Sequence, residues 1–375
     1  MVIVDQAAGL TGVEAILRSI RKTDLTEEDA FRIAAELKAR GFPVEARPKD
    51  SIEALPLEAF LQNFWDYKNS PYVRDKLTHG YRIGKRHCHE SLKRVHYYIT
   101  PSFEGWNVGD ITRDVLKEFA NILADVGLRP NSIQQIMHTI TTPFKWACQE
   151  GKLALNPCAG MLKFHGAEKK RGVLTPQEAE KIFSVSWKDK RVYVGNLLAI
   201  TTGLRAGEVL ALRKRDIGAA ENFLYIRHSW SRIDGLKTPK NGESRKVPLL
   251  PEVREKLLEL IEENPHRTDN PFVFYGPLQD KPMAEELFLK GLKKVCRDYG
   301  IDAAARNIVF HSHRHYYAAR MVDRMAPDQV IRITGHKSMA VFEKYADHII
   351  QENLEAAGEV TAEVFGNILQ FKRGA

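Results

Sequence analysis

Six residues spread over the C-terminal half of the chain, Arg205, Lys240, His311, Arg314, His336 and Tyr345, have side chains that could together hold and break one phosphodiester. They lie in TTGLRAGEVLAL, TPKNGESRKVPL, HSHRHYYAARM and ITGHKSMAVFEKYADH. Five of them offer hydrogen bonds or positive charge to phosphate oxygens, and the sixth is a phenol that could attack phosphorus. An arginine presents a planar fork to two oxygens at once, and a histidine exchanges a proton near neutral pH. A tyrosine has an ordinary pKa near 10, so Tyr345 needs clustered cations or a base to act as a nucleophile at pH 7. Taken singly, each of the six also suits an ordinary surface or packing position.

Spacing adds geometry. His311 and Arg314 stand three residues apart and would share one face of a helix, with His313 and His315 pointing away from the Arg314 face. Arg205 and Glu208 have the same spacing, so Glu208 could orient the guanidinium from one helix face; otherwise the two form a surface ion pair of little consequence. Lys240 precedes Asn241-Gly242, a two-residue hairpin signal because both positions tolerate positive φ. FLYIRHSW and RKVPL would be the two strands. A lysine at such a tip can protonate an oxygen leaving phosphorus, with Lys237, Arg245 and Lys246 as nearby competitors. Gly335-His336 reads as the glycine end of a helix over 328–334, with the imidazole presented in the turn. Tyr345 follows nine residues later, and an unbroken helix would turn through about 900° between them and put them on opposite faces. The chain must therefore break between 336 and 345, with Ser338 a candidate cap for the next helix.

The elements that must position these residues fall into segments. Residues 1–54 hold a helix capped by Thr26, with Phe31, Ile33, Ala34 and Leu37 at helical spacing and Gly41 as its stop; its near-neutral charge argues against strong phosphate binding, so a protein-contact helix fits at least as well as an arm that binds DNA. Residues 55–165 read as wholly helical. LPLEAFLQNFWDYKN buries Phe60, Phe64 and Trp65; a helix over 112–126 turns Leu116, Phe119, Leu123 and Val126 to one side; a third, after Asn131, should kink or split at Pro143. Residues 166–172 form a solvated linker with a basic tail. Residues 173–375 open with LTPQEAEKIF, where Thr175, Pro176 and Glu178 spell a capped helix start. The fold class is mostly α with a small β-hairpin in the last segment, an α+β arrangement.

The chain has 375 residues, a formal charge of +8 and 43% hydrophobic residues. That is an ordinary globular composition, and no apolar run approaches the ~20 residues of a bilayer span. The N-terminus has no secretory pattern, and Cys88, Cys148, Cys158 and Cys296 are scattered, which suits a reducing cytoplasm. The basic excess is concentrated: Arg74, Lys76, Arg82, Lys85, Arg86, Lys93 and Arg94 face only Asp75 and Glu90, with tyrosines interleaved. This reads as a helix or helix pair laid along phosphates, or as a solvated face. His87-Cys88-His89 is a poor zinc site, since adjacent residues rarely share one tetrahedral ion.

The four motifs, in this order over roughly residues 173–365, resemble the tyrosine recombinase (phage integrase) family, integrase- or Xer-like. The segment 55–165, ending in Asn156-Pro157, is similar to that family's SAM-like core-binding domain. The likeness implies Arg205 and Arg314 as phosphate-clamping arginines, Lys240 as general acid, His311 as acid/base, His336 as a further phosphate donor and Tyr345 as nucleophile. It implies a 3′-phosphotyrosyl intermediate with no ATP, cofactor or metal. It implies double-stranded DNA held in a C-shaped clamp, and a homo-tetramer on two duplexes. Accessory DNA-bending or directionality proteins, and a prokaryotic or phage, nucleoid-associated setting, go with it. The chain departs from the family at Gly207, where serine is frequent, and in the Ser-His between His311 and Arg314. A type IB topoisomerase-like nicking enzyme and a non-catalytic DNA-binding protein on the same fold are the alternatives. The apolar tail after Tyr345 could dock in cis or on a neighbouring subunit.

Overall fold

The structure, a computed structural model, describes residues 27–40, 52–166, 171–218, 222–239, 242, 244–322 and 324–335. The chain divides into two compact units, Met1–Glu168 and Lys169–Ala375.

The first unit begins with α1 (Glu27–Ala39), where the sequence places a helix. Leu37 is 41% exposed, so one of its apolar positions meets solvent; Thr26 and Gly41 lie outside the described residues. Next come α2 (Leu57–Trp65), α3 (Pro71–Thr78) and α4 (Lys85–Arg94), and α4 continues into a π-helical turn, Val95–Ile99. Thr112 caps α5 (Arg113–Asp125) by accepting the Val115 N–H, and α6 (Pro130–Gln149) completes the set. Phe60, Phe64, Trp65, Leu116, Phe119 and Leu123 are all buried in one core with Ile136, Ile140 and Phe144.

Pro143 neither splits α6 nor ends it: the helix runs unbroken for 20 residues. Proline removes the donor that the carbonyl four residues earlier would receive. That carbonyl belongs to Thr139, and the Trp65 indole N–H donates to it at 3.0 Å. The polar group is satisfied from a neighbouring helix, so the interruption remains local.

In the second unit, Thr175 and Glu178 form the expected capping box at α7 (Pro176–Phe183). Glu178 also receives the Arg306 guanidinium, and the Gly172 N–H donates to the Arg306 carbonyl at 2.8 Å. The helices α8 (Lys190–Thr202) and α9 (Ala206–Leu210) follow. After the strands described next come α10 (Pro251–Glu262), α11 (Glu286–Asp298), α12 (Ser312–Val322) and α13 (Pro327–Thr334). Val194, Leu198, Leu257, Phe274 and Phe288 are core residues of this unit.

The β region corrects the expected hairpin. β1 (Phe223–Ile226) does pair antiparallel with β4 (Arg245–Pro248), from Phe223 opposite Pro248 to Ile226 opposite Arg245. Asn241-Gly242 is not the two-residue turn between them. A second hairpin intervenes, β2 (Ser229–Ser231) against β3 (Gly235–Lys237). Its turn is closed by Asp234-Gly235: the Asp234 N–H donates to Ser231 Oγ at 3.0 Å and Gly235 takes φ 71°. Asp-Gly is as strong a turn signal as Asn-Gly, and it comes first along the chain. Gly207 has a packing reason of its own. A Cβ there would come within 2.7 Å of both Ser229 Oγ and the Trp230 carbonyl, so α9 lies against β2 only without a side chain at this position.

Candidate active site

Helix α8 ends because Gly203 adopts φ 68°, a left-handed cap that turns the chain towards Arg205. Arg205 is the N-cap of α9 and not a member of it. The expected pairing with Glu208 is therefore cap to first turn, not two residues on one helix face. Glu208 Oε2 accepts the Arg205 backbone N–H at 3.1 Å, and Oε1 accepts Arg205 Nη1 at 3.0 Å. Nor is this a surface ion pair: the Glu208 side chain is 1% exposed.

The same carboxylate holds a second guanidinium. Arg245 Nη1 donates to Oε1 at 3.1 Å and Nη2 to Oε2 at 2.8 Å. Both arginines reach onward to the end of α13. Arg205 Nη2 donates to the Gly335 carbonyl at 3.0 Å, and Arg245 Nε to the Ile333 carbonyl at 2.8 Å. Gly335 has φ 69°, the predicted glycine end of the helix. Burial works to raise the Glu208 pKa, but the hydrogen bond and charge of Arg245, with the charge of Arg205, outweigh it and hold it below the usual carboxylate range.

His311 immediately precedes α12, so it too stands at a helix start and not on the helix; its carbonyl accepts the Arg314 N–H at 3.1 Å. Arg314 is fully buried and donates from Nη1 to the Gly203 carbonyl at 2.8 Å, which ties α12 to the turn before Arg205. His313 turns into the core, where Nε2 meets Asn196 Oδ1 at 2.8 Å. His315 does not turn away: four residues on, it is one helical turn along, and its ring stands edge-on to His311 at 5.4 Å. Burial pushes His311 down to about 3, helped by the charges of His315, Arg171, Arg314 and Arg205. At neutral pH its ring is an uncharged acceptor or donor and carries no positive charge.

The structure thus gathers Arg205, Glu208, His311 and Arg314 around the Gly203 turn and the end of α13. Lys240, His336 and Tyr345, with the helix break expected between the last two, lie outside the described residues. Of the competitors for Lys240, Lys237 is ion-paired with Asp234 and Lys246 lies over the Tyr225 ring at 5.1 Å. Arg245, the third of those competitors, is instead bound to Glu208, a partnership the sequence does not announce. Its only local signal was a charged residue opening a strand.

In the first unit the basic tract forms two helices, α3 and α4, with the loop between them. Arg74, Arg82, Lys85, Arg86 and Lys93 are exposed, and Lys76 and Arg94 partly so. Lys76 sits over the rings of Tyr81 at 4.3 Å and Tyr72 at 5.7 Å, and Lys85 over Tyr67 at 5.8 Å. A cavity of about 470 Å³ beside the tract is lined by Tyr72, Lys76, His138, Thr142, Lys145 and Gln149, among others. The α6 members of that wall were not anticipated. His138 is held below its ordinary pKa by burial and by the Arg94 charge. Among the described residues, no group of three or more His, Cys, Asp or Glu side chains is placed to hold a metal ion. No helix there is long and apolar enough to cross a membrane.

The Phage integrase family matches residues 172–352. The ICEBs1 integrase of Bacillus subtilis is 26% identical over 243 residues, 61% of this chain and 64% of its own length, so the chain spans just under two thirds of that relative. Tyrosine recombinase XerA of Pyrococcus furiosus is 27% identical over 275 residues, 71% of this chain and 86% of that one. Among solved structures, the Tn1549 transposon integrase in complex with a circular intermediate DNA shares the fold with a TM-score of 0.60 at 17% identity, over 81% of this chain and 99% of that one. A lambda integrase tetramer bound to a Holliday junction also gives 0.60, at 18% identity, over 86% and 87%. With its motifs in order, its helical fold and small antiparallel sheets, and tyrosine recombinases among its relatives, the chain carries a phage integrase family domain over residues 172–352.

Proposed function

We propose that the protein is a site-specific DNA recombinase that cleaves and rejoins DNA through a covalent bond to Tyr345. The observation that carries the reading is the convergence of Arg205 and Arg314 on the Gly203 turn, beside a His311 kept neutral by its surroundings. The Tyr345 phenol loses its proton to His311 and attacks the scissile phosphorus. The bond to the 5′ oxygen breaks, and Lys240 protonates that oxygen. Arg205, Arg314 and His336 stabilise the non-bridging oxygens, on which charge accumulates in the transition state. Energy is conserved in the 3′-phosphotyrosyl bond, and the 5′-hydroxyl of a partner strand reverses the step. The exposed basic residues of α3 and α4 hold the duplex, and residues 55–165 act as the core-binding domain.

The lambda integrase tetramer on a Holliday junction supports four copies of this chain exchanging strands between two duplexes at the bacterial or phage chromosome. The test uses nicked suicide duplexes tiling the DNA on both sides of the gene. Wild-type protein should leave an SDS-resistant adduct on one of them, and Tyr345→Phe none. No adduct with wild type, or an adduct with Tyr345→Phe, would overturn the reading.

A further inference from the structure

We propose that Arg245 is a positioning residue for the cleavage step: it neutralises Glu208 and so leaves the Arg205 guanidinium available to the scissile phosphate. The inference rests on the reading of Arg205 as a phosphate clamp. A buried carboxylate requires a counter-charge, and Glu208 has two candidates. Arg245 supplies the paired one, with Nη1 and Nη2 each on a different carboxylate oxygen, while Arg205 gives a single side-chain bond, from Nη1. Exposure divides them in the same way. The Arg205 side chain is 22% exposed and that of Arg245 13%. One guanidinium is committed to the carboxylate, and the other is steadied by it while still open to a ligand.

Removing Arg245 would leave Glu208 with Arg205 alone. The carboxylate would then draw the whole Arg205 fork onto itself, away from the Gly335 carbonyl and from any phosphate. A second loss follows at α13, because Arg245 Nε also fixes the Ile333 carbonyl, three residues before His336. The Arg245 guanidinium lies against Gly335 as well: a Cβ there would come within 3.3 Å of Arg245 Cζ. One side chain thus controls both the freedom of Arg205 and the Gly335 end of α13.

The test is single-turnover cleavage of the suicide duplex that wild type attacks, read beside DNA affinity and thermal unfolding. Arg245→Ala should cleave roughly 10–100-fold more slowly, as expected when a reacting group is misplaced by about an ångström, with a Kd within about threefold of wild type. Adding Glu208→Gln to Arg245→Ala removes the charge that captures Arg205, and should restore cleavage about tenfold over the single variant, a coupling that simple loss of packing would not give. Should Arg245→Ala fail to fold, Arg245→Lys carries the comparison. One ammonium cannot span both carboxylate oxygens and the Ile333 carbonyl, so cleavage falls and Glu208→Gln again restores it. Wild-type cleavage by the single variants, or a double variant no faster than its single, overturns the inference while adduct formation by wild type keeps the recombinase reading intact. No adduct from wild type overturns both.

Discussion

The Trp65 indole N–H donates to the Thr139 carbonyl, the oxygen that Pro143 deprives of its helical partner. A proline in the middle of a buried helix is thereby accommodated by a side chain 74 residues away in sequence. Trp65→Phe retains most of the ring but leaves the carbonyl buried without that donor, and should destabilise the first unit by about 1–3 kcal/mol in urea denaturation. Pro143→Ala restores a backbone N–H to α6, so the same Trp65→Phe change made on that background should cost clearly less. Equal costs on both backgrounds would mean that the indole bond contributes nothing beyond packing.

His311 gives a pH prediction. With its pKa pushed down to about 3 in the folded chain, it binds fewer protons there than in the unfolded chain. Its contribution to stability is full above an unfolded pKa of about 6.5 and is lost as pH falls from there towards 3. NMR titration of the free protein should show no protonation of the His311 ring between pH 8 and 5. An inflection near 6.5 assigned to His311 would show that its surroundings do not hold it neutral through this range.

The basic tract predicts salt dependence. Replacing Arg82, Lys85 and Arg86 together with alanine should weaken binding to any duplex and make it less sensitive to salt, each lost phosphate contact reducing the log–log slope by about 0.9. Thermal stability should hold, because all three side chains are exposed. An unchanged slope would return these residues to the status of a solvated face.

What the sequence made legible is what is local. The Thr175–Glu178 box and the Gly335 stop depend on residues within a few positions of the backbone they serve, and both stand where expected, while Thr112, expected as the first residue of its helix, is its cap. The hairpin was misplaced because two turn signals compete between β1 and β4, and the later one was taken. Arg205 and His311 were assigned to helices they only introduce, since a spacing of three suits a cap and its first turn as well as a face. Arg245 is visible in the sequence only as a competitor for Lys240; its actual partners lie 37 and 88 residues away along the chain, and only the fold brings them together.

The Arg306 staple has a mechanical consequence. With Gly172 bonded to the Arg306 carbonyl, and Val173 and Glu178 to its guanidinium, the chain entering the second unit is fastened five residues before His311. One residue thus fastens both the stretch of chain at Gly172-Val173 and the capping carboxylate of α7, so loss of Arg306 would release the two together.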